Sequence, residues 1–149
     1  MINFTCLAFK QLSLDQLYDI MALRQEVFVV EQNCCYLDAD GKDQLSMHMM
    51  GYADNGELAA YARILPKGIS YEQYTAIGRV ITSPKFRGLG LGKSLMENCL
   101  KEMEVLFAQE PIKMSAQTYL IRFYESFGFK TTGDTYLEDD LPHIAMVRE

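Results

Sequence analysis

The chain has 149 residues, 49% of them apolar and 23% charged, with a formal net charge of −6. That is one domain's worth of sequence, spanning 1–149, with too much apolar character for a disordered chain and enough for a sizeable core. The acidic balance argues against a nucleic-acid partner, which needs a basic footprint, and no apolar run reaches the roughly 18 residues of a membrane span.

The N-terminus lacks a basic stretch followed by an apolar core, so a cytoplasmic protein is expected, as a monomer or a homodimer. Cys6, Cys34, Cys35 and Cys99 form no C-x-x-C arrangement, and His48 and His143 are the only histidines. No metal-ligand pattern results, and no metal is expected.

Residues 2–9 read as a first strand. Ser13 and Gln16 form a capping box that opens a helix over about 14–26, with Leu14, Leu17, Ile20 and Met21 at helical spacing. In the following Val27-Phe28-Val29-Val30-Glu31-Gln32-Asn33, propensity favours a strand, and a short helix or irregular structure stays open. Residues 36–46 form a polar loop with Asp38, Asp40, Gly41 and Asp43. It lacks the full calcium-loop pattern and reads as a solvated loop at the rim of an acceptor pocket. Strands at 47–52 and 58–65 flank Asn55-Gly56, the strongest hairpin signal in the chain.

A third strand over 74–82 leads into Arg87-Gly88-Leu89-Gly90-Leu91-Gly92-Lys93-Ser94 and a helix running to about 108. A short strand over 112–116 follows. Gln117 or Thr118 then caps a helix over 119–127 that Gly128 closes. Strands over 129–136 and 142–147 enclose the turn Glu138-Asp139-Asp140. Successive antiparallel strands followed by strand–turn–helix imply a mixed α/β fold, with a mostly antiparallel central sheet flanked by helices.

Three glycines in five residues cost backbone entropy and serve sharp turning and close backbone approach. Set between a strand and a helix N-terminus, they make an anion site from free N–H groups and the helix dipole. Lys85, Arg87 and Lys93 add local positive charge. An ordinary glycine-rich loop is the other reading. A Walker A loop is excluded because Arg87 stands where its first glycine belongs, and a dinucleotide fingerprint fails at Lys93.

The pattern Arg87-x-x-Gly90-x-Gly92 resembles the acyl-coenzyme A pyrophosphate loop of the GCN5-related N-acetyltransferases, the GNAT family. Arg122-Phe123-Tyr124-Glu125-Ser126-Phe127-Gly128-Phe129 is similar to that family's later helix. Residues 28–34, 60–64, 77–80 and 142–146 resemble its ElaA-like subgroup, so the likeness covers essentially the whole chain.

The resemblance implies acetyl-CoA as acyl donor and an amine acceptor, small molecule or peptide. Main-chain N–H groups of Gly88, Leu89, Gly90, Leu91, Gly92 and Lys93 would hold the pyrophosphate. Arg87 would orient the loop or approach the phosphates, unless it merely faces solvent. Val80 and Thr82 would pair with the pantetheine arm as an added strand. In the family this strand splays from the next at a bulge, of which the sequence gives no direct sign.

Acyl transfer needs a base for the ammonium, stabilisation of an oxyanion and an acid for the departing thiolate. Tyr124 matches the family's acid, or is simply a core tyrosine. Glu31, His48 and His143 are the candidate bases, each also open to a structural reading. Arg24, Arg63 and Arg79 interrupt apolar runs. They would pair with Glu31 or the acidic loop, or bind an acidic group of the acceptor. No cysteine has a base partner, so direct transfer in a ternary complex is expected. The competing functions are a non-catalytic acyl-CoA binding or sensing protein and a small kinase-like phosphate enzyme. The second lacks a magnesium signature.

Overall fold

The computed structural model describes residues 1–149. Seven strands form one sheet: β1 (Ile2–Ala8), β2 (Met47–Ala53), β3 (Leu58–Leu65), β4 (Thr75–Thr82), β5 (Ile112–Gln117), β6 (Lys130–Glu138) and β7 (Leu141–Arg148). Their spatial order is β1-β2-β3-β4-β5-β7-β6. Every pairing is antiparallel except β4 with β5. β3 is buried along its whole length, because helices cover both faces of the sheet at its centre.

Helix α1 (Leu14–Arg24) starts as the capping box requires. The Gln16 amide donates to Ser13 Oγ at 3.0 Å, and the Ser13 amide donates to Gln16 Oε1 at 2.9 Å. It does not stop at 26. The backbone continues as a π-helical turn over Gln25–Glu31, so the strand that propensity favours at Val27 is not formed. Val27 instead packs with Ile20 and Leu23 on Met50, Tyr61 and Ile81. Burying such side chains contributes about 1.5–3 kcal/mol each, against a helix-propensity penalty below about 0.7 kcal/mol for valine. Packing wins.

On the other face, Leu95, Met96, Cys99 and Met103 of α2 (Leu91–Leu106) pack on Met49, Ala60, Ala62, Ile64 and Ile77. Alternate residues of β2 and β3 thus serve opposite layers. The predicted helix at 119–127 is shorter than expected: a 3₁₀ turn at Thr118–Leu120 leads into α3 (Ile121–Glu125). No helix is long and apolar enough to cross a membrane.

Two irregularities open the sheet. Tyr61 faces Ile81 but Arg63 faces Gly78, so β4 carries one extra residue opposite Ala62. That is a β-bulge. Beside it, β4 and β5 pair only at Thr75 with Ile112 and Ala76 with Lys113, and then part. β5 stays zipped to β7 as far as Gln117 opposite His143.

Candidate active site

The gap between β4 and β5 is a cleft of about 470 Å³. Val80 and Thr82 line one wall, and Ser115 and Gln117 the other. Tyr124, His143, Glu31, Arg87 and Gly92 complete it. The structure therefore gathers most of the predicted site residues around one space. Gly88, Leu89 and Gly90 form the exposed turn next to it, Lys93 is exposed in the first turn of α2, and Leu91 turns into the core.

The glycine turn is built by conformation. Gly88 and Gly90 have φ of +82° and +74°, and a Cβ on either would meet nothing within 4 Å. The space over this backbone is open. Gly90 is the N-cap of α2, and no side chain caps the helix. Its first N–H groups and its dipole therefore face outward with no side-chain partner.

Arg87 is not a free surface arginine. Its Nη1 and Nη2 donate to the two carboxylate oxygens of Glu31, each at 2.7 Å, linking the glycine turn to the end of the π-helical turn. These hydrogen bonds hold the Glu31 carboxyl below its ordinary range, which weakens Glu31 as a base.

His48 is placed differently from the expectation. It is fully buried outside the cleft, accepting from the Tyr61 hydroxyl on Nδ1 at 2.7 Å and donating from Nε2 to the Asp43 carbonyl at 2.9 Å. Burial lowers its pKa. With both nitrogens engaged and no path to the cleft, His48 is a core histidine and is set aside as a base.

His143 does face the cleft. Its Nδ1 lies 2.7 Å from the Leu141 carbonyl, which only accepts, so Nδ1 carries a proton and Nε2 is the nitrogen that can exchange one. Nε2 is 3.5 Å from Glu138 Oε2, and the ring stacks on Tyr136. Tyr136 in turn hydrogen-bonds Ser115 of β5, on the same side of the gap. Tyr124 is 4% exposed, with its ring edge-on to Phe123 and Phe129. Burial pushes its phenol well above the ordinary 10, so it keeps its proton.

Arg24, Arg63 and Arg79 pair with the acidic loop and not with Glu31. Arg24 donates from Nε to Asp38 Oδ2 and from Nη1 to Asp43 Oδ1, both at 2.6 Å. Arg63 donates to Asp43 at 2.9 Å and to both oxygens of Asp40 at 2.8 Å. Arg79 reaches Asp38. Three guanidinium groups meet three carboxylates, and the loop expected to be solvated is an internal clamp. The Arg87–Glu31 and Ser115–Tyr136 contacts join residues 56 and 21 positions apart, which no local sequence pattern marks. Gly78 inside an apolar strand was the available signal for the bulge.

A model of the acetyltransferase (GNAT) domain matches residues 17–149. The chain belongs to the GNAT family. Among its relatives, the protein ElaA of Escherichia coli K12 is 44% identical, with 100% of this chain and 97% of ElaA covered. A UPF0039 protein of Synechocystis is 39% identical over 98% of this chain and 94% of its own length. The crystal structure of E. coli ElaA superposes with a TM-score of 0.93 at 42% identity, covering both chains fully. An acyl-CoA N-acyltransferase from Pseudomonas aeruginosa gives 0.92 at 42% identity, covering 99% of each chain. Membership of this ElaA-like branch establishes a GNAT acyltransferase fold and supports acyl transfer as the reaction class.

Proposed function

We propose that the protein moves an acetyl group from acetyl-CoA to an amine by direct attack in a ternary complex. The observation that carries this reading is the cleft itself: an open glycine turn and uncapped helix N-terminus beside one part, Tyr124 and His143 within it. The residues present fit the donor. Open space over Gly88 and Gly90 admits a pyrophosphate, and the stretch of β4 beyond Ala76, with no β5 neighbour, is free to pair with an extended pantetheine arm. Acetyl-CoA would supply the activated acyl group as a thioester.

The chain's own groups handle the protons. Nε2 of His143 takes one from the incoming ammonium, freeing its lone pair for attack on the acyl carbon. As the new C–N bond forms and the C–S bond breaks, Tyr124 gives its phenolic proton to the departing sulfur, and the phenolate so formed takes the second proton from the acylated nitrogen, leaving the neutral amide and a restored phenol. Main-chain N–H groups of β4 stabilise the oxyanion between these events. Glu31, kept ionised by its hydrogen bonds from Arg87, takes no part in the proton transfers.

The test is thiol release from acetyl-CoA against polyamines, amino acids, aminoglycosides and peptides, for wild type and Tyr124→Phe. The expected result is amine-dependent release that falls about 10- to 1000-fold in the variant at unchanged acetyl-CoA affinity. Tight binding with no turnover of any amine would favour a non-catalytic acyl-CoA sensor.

A further inference from the structure

The ion-pair clamp is remote from the proton transfers, except at one point. Arg79 sits at the β4 bulge, on the cleft wall, with φ of +50°. A left-handed backbone is sterically costly for a residue with a Cβ, and it persists only where the surroundings hold it. Here they do. Nη2 of Arg79 donates to the Asp38 carbonyl at 3.1 Å. Its Nε lies 2.8 Å from Asp38 Oδ1, an ion-pair contact without hydrogen-bond alignment. Its guanidinium carbon is 5.8 Å from the centre of the Phe28 ring.

Asp38 cannot follow a moving Arg79. Arg24 grips its carboxylate at 2.6 Å and its carbonyl at 3.1 Å, and the Tyr36 hydroxyl donates to its other oxygen at 2.7 Å. Beyond Ala76, β4 has no β5 neighbour to fix it from the cleft side. The side-chain anchor of Arg79 stands in for that missing ladder.

We propose that Arg79, anchored on Asp38, is a positioning residue for acyl transfer: it locks the β4 bulge and so sets where the main-chain groups of Val80 and Thr82 stand in the cleft. This rests on the acyl-CoA reading above. The acidic loop at 36–46 is then part of the catalytic scaffold, although none of its aspartates lines the cleft.

The test compares Arg79→Gly and Arg79→Lys with wild type. Glycine accepts positive φ without strain, so Arg79→Gly removes the anchor and adds no clash. Lysine keeps the charge but loses the planar fork. Three quantities are read. They are hydrogen exchange of residues 77–83 without ligand, the Kd for CoA lacking an acyl group, and kcat of thiol release from acetyl-CoA. The acceptor is the best panel amine, or water if none is turned over.

For Arg79→Gly the expected result is exchange at 77–83 at least about 10-fold faster, with α2 unchanged. The kcat falls about 10- to 100-fold, while the CoA Kd rises by a clearly smaller factor, since β4 also pairs with the pantetheine arm but the pyrophosphate turn is untouched. Arg79→Lys recovers part of kcat. Wild-type exchange and kcat in Arg79→Gly would overturn the proposal, as would a CoA Kd that rises in step with the loss of kcat. Failure of wild type to bind acetyl-CoA would instead defeat the acyltransferase reading, while the exchange result still decides whether Arg79 holds the bulge.

Discussion

Replacing Asp43 by asparagine tests the buried clamp at its most connected point. Asp43 Oδ1 accepts from Arg24 at 2.6 Å and from Arg63 at 2.9 Å, and the side chains of these three residues are 5%, 0% and 4% exposed. The wild-type cluster balances three positive groups with three negative ones, and the substitution leaves one buried positive charge in excess. Removing one partner of a buried ion pair costs about 3–5 kcal/mol. Asparagine still offers an accepting oxygen, so the low end, about 3 kcal/mol, is expected. For a domain of this size that corresponds to a fall in Tm of about 6–12 °C.

The assay is thermal and urea unfolding beside Asp54→Asn. Asp54 pairs with the N-terminal amine at 3.2 Å with both groups more than 70% exposed, and its removal should stay within about 0.5 kcal/mol. The pH dependence has a defined sign. Hydrogen bonds and charge from Arg24 and Arg63 depress the Asp43 pKa despite its burial. Its stabilisation is therefore complete above the ordinary value of 3.8 and is lost as pH falls through the lower folded value. The gap between wild type and Asp43→Asn should narrow below that pH. A loss under about 1 kcal/mol near neutrality would refute the idea that the clamp is cohesive.

Glu31→Gln releases Arg87 from a half-exposed pair of the kind that contributes about 0.2–1 kcal/mol. Acetyl-CoA should bind about 1.4- to 5-fold more tightly by calorimetry, whereas weaker binding would mean that Glu31 must hold Arg87 in place for the ligand. His48 is buried with a pKa below the ordinary 6.5, so its contribution is present above that value and fades as pH falls toward the lowered one. Urea midpoints of wild type should decline from pH 7 to 5 more steeply than those of His48→Gln, and parallel curves would contradict the assignment.

What could be read from the sequence was local. Ser13 with Gln16, Asn55-Gly56 and the strand–glycine–helix passage each carry their geometry within a few residues, and each is found where expected. The π-helical turn at 25–31 was hidden because packing of Val27 on Tyr61 and Ile81 overrides valine's strand preference. The clamp was hidden because its partners lie 14 to 41 residues apart. His48 and His143 both read as strand histidines. Only the fold reveals that one faces the layer under α1 and the other the cleft.

The most direct measurement of the account is acetyl-CoA binding to wild type and to Gly90→Val by calorimetry. Gly90 holds φ of +74° at the uncapped start of α2, a conformation that a β-branched residue resists, while a Cβ there would clash with nothing. The account predicts saturable one-to-one binding by wild type and at least about 10-fold weaker binding by the variant, with Tm lowered by no more than about 2–12 °C so that the variant stays folded at the assay temperature. No binding by wild type, or equal binding by both, would contradict the claim that this turn holds the pyrophosphate of an acyl donor.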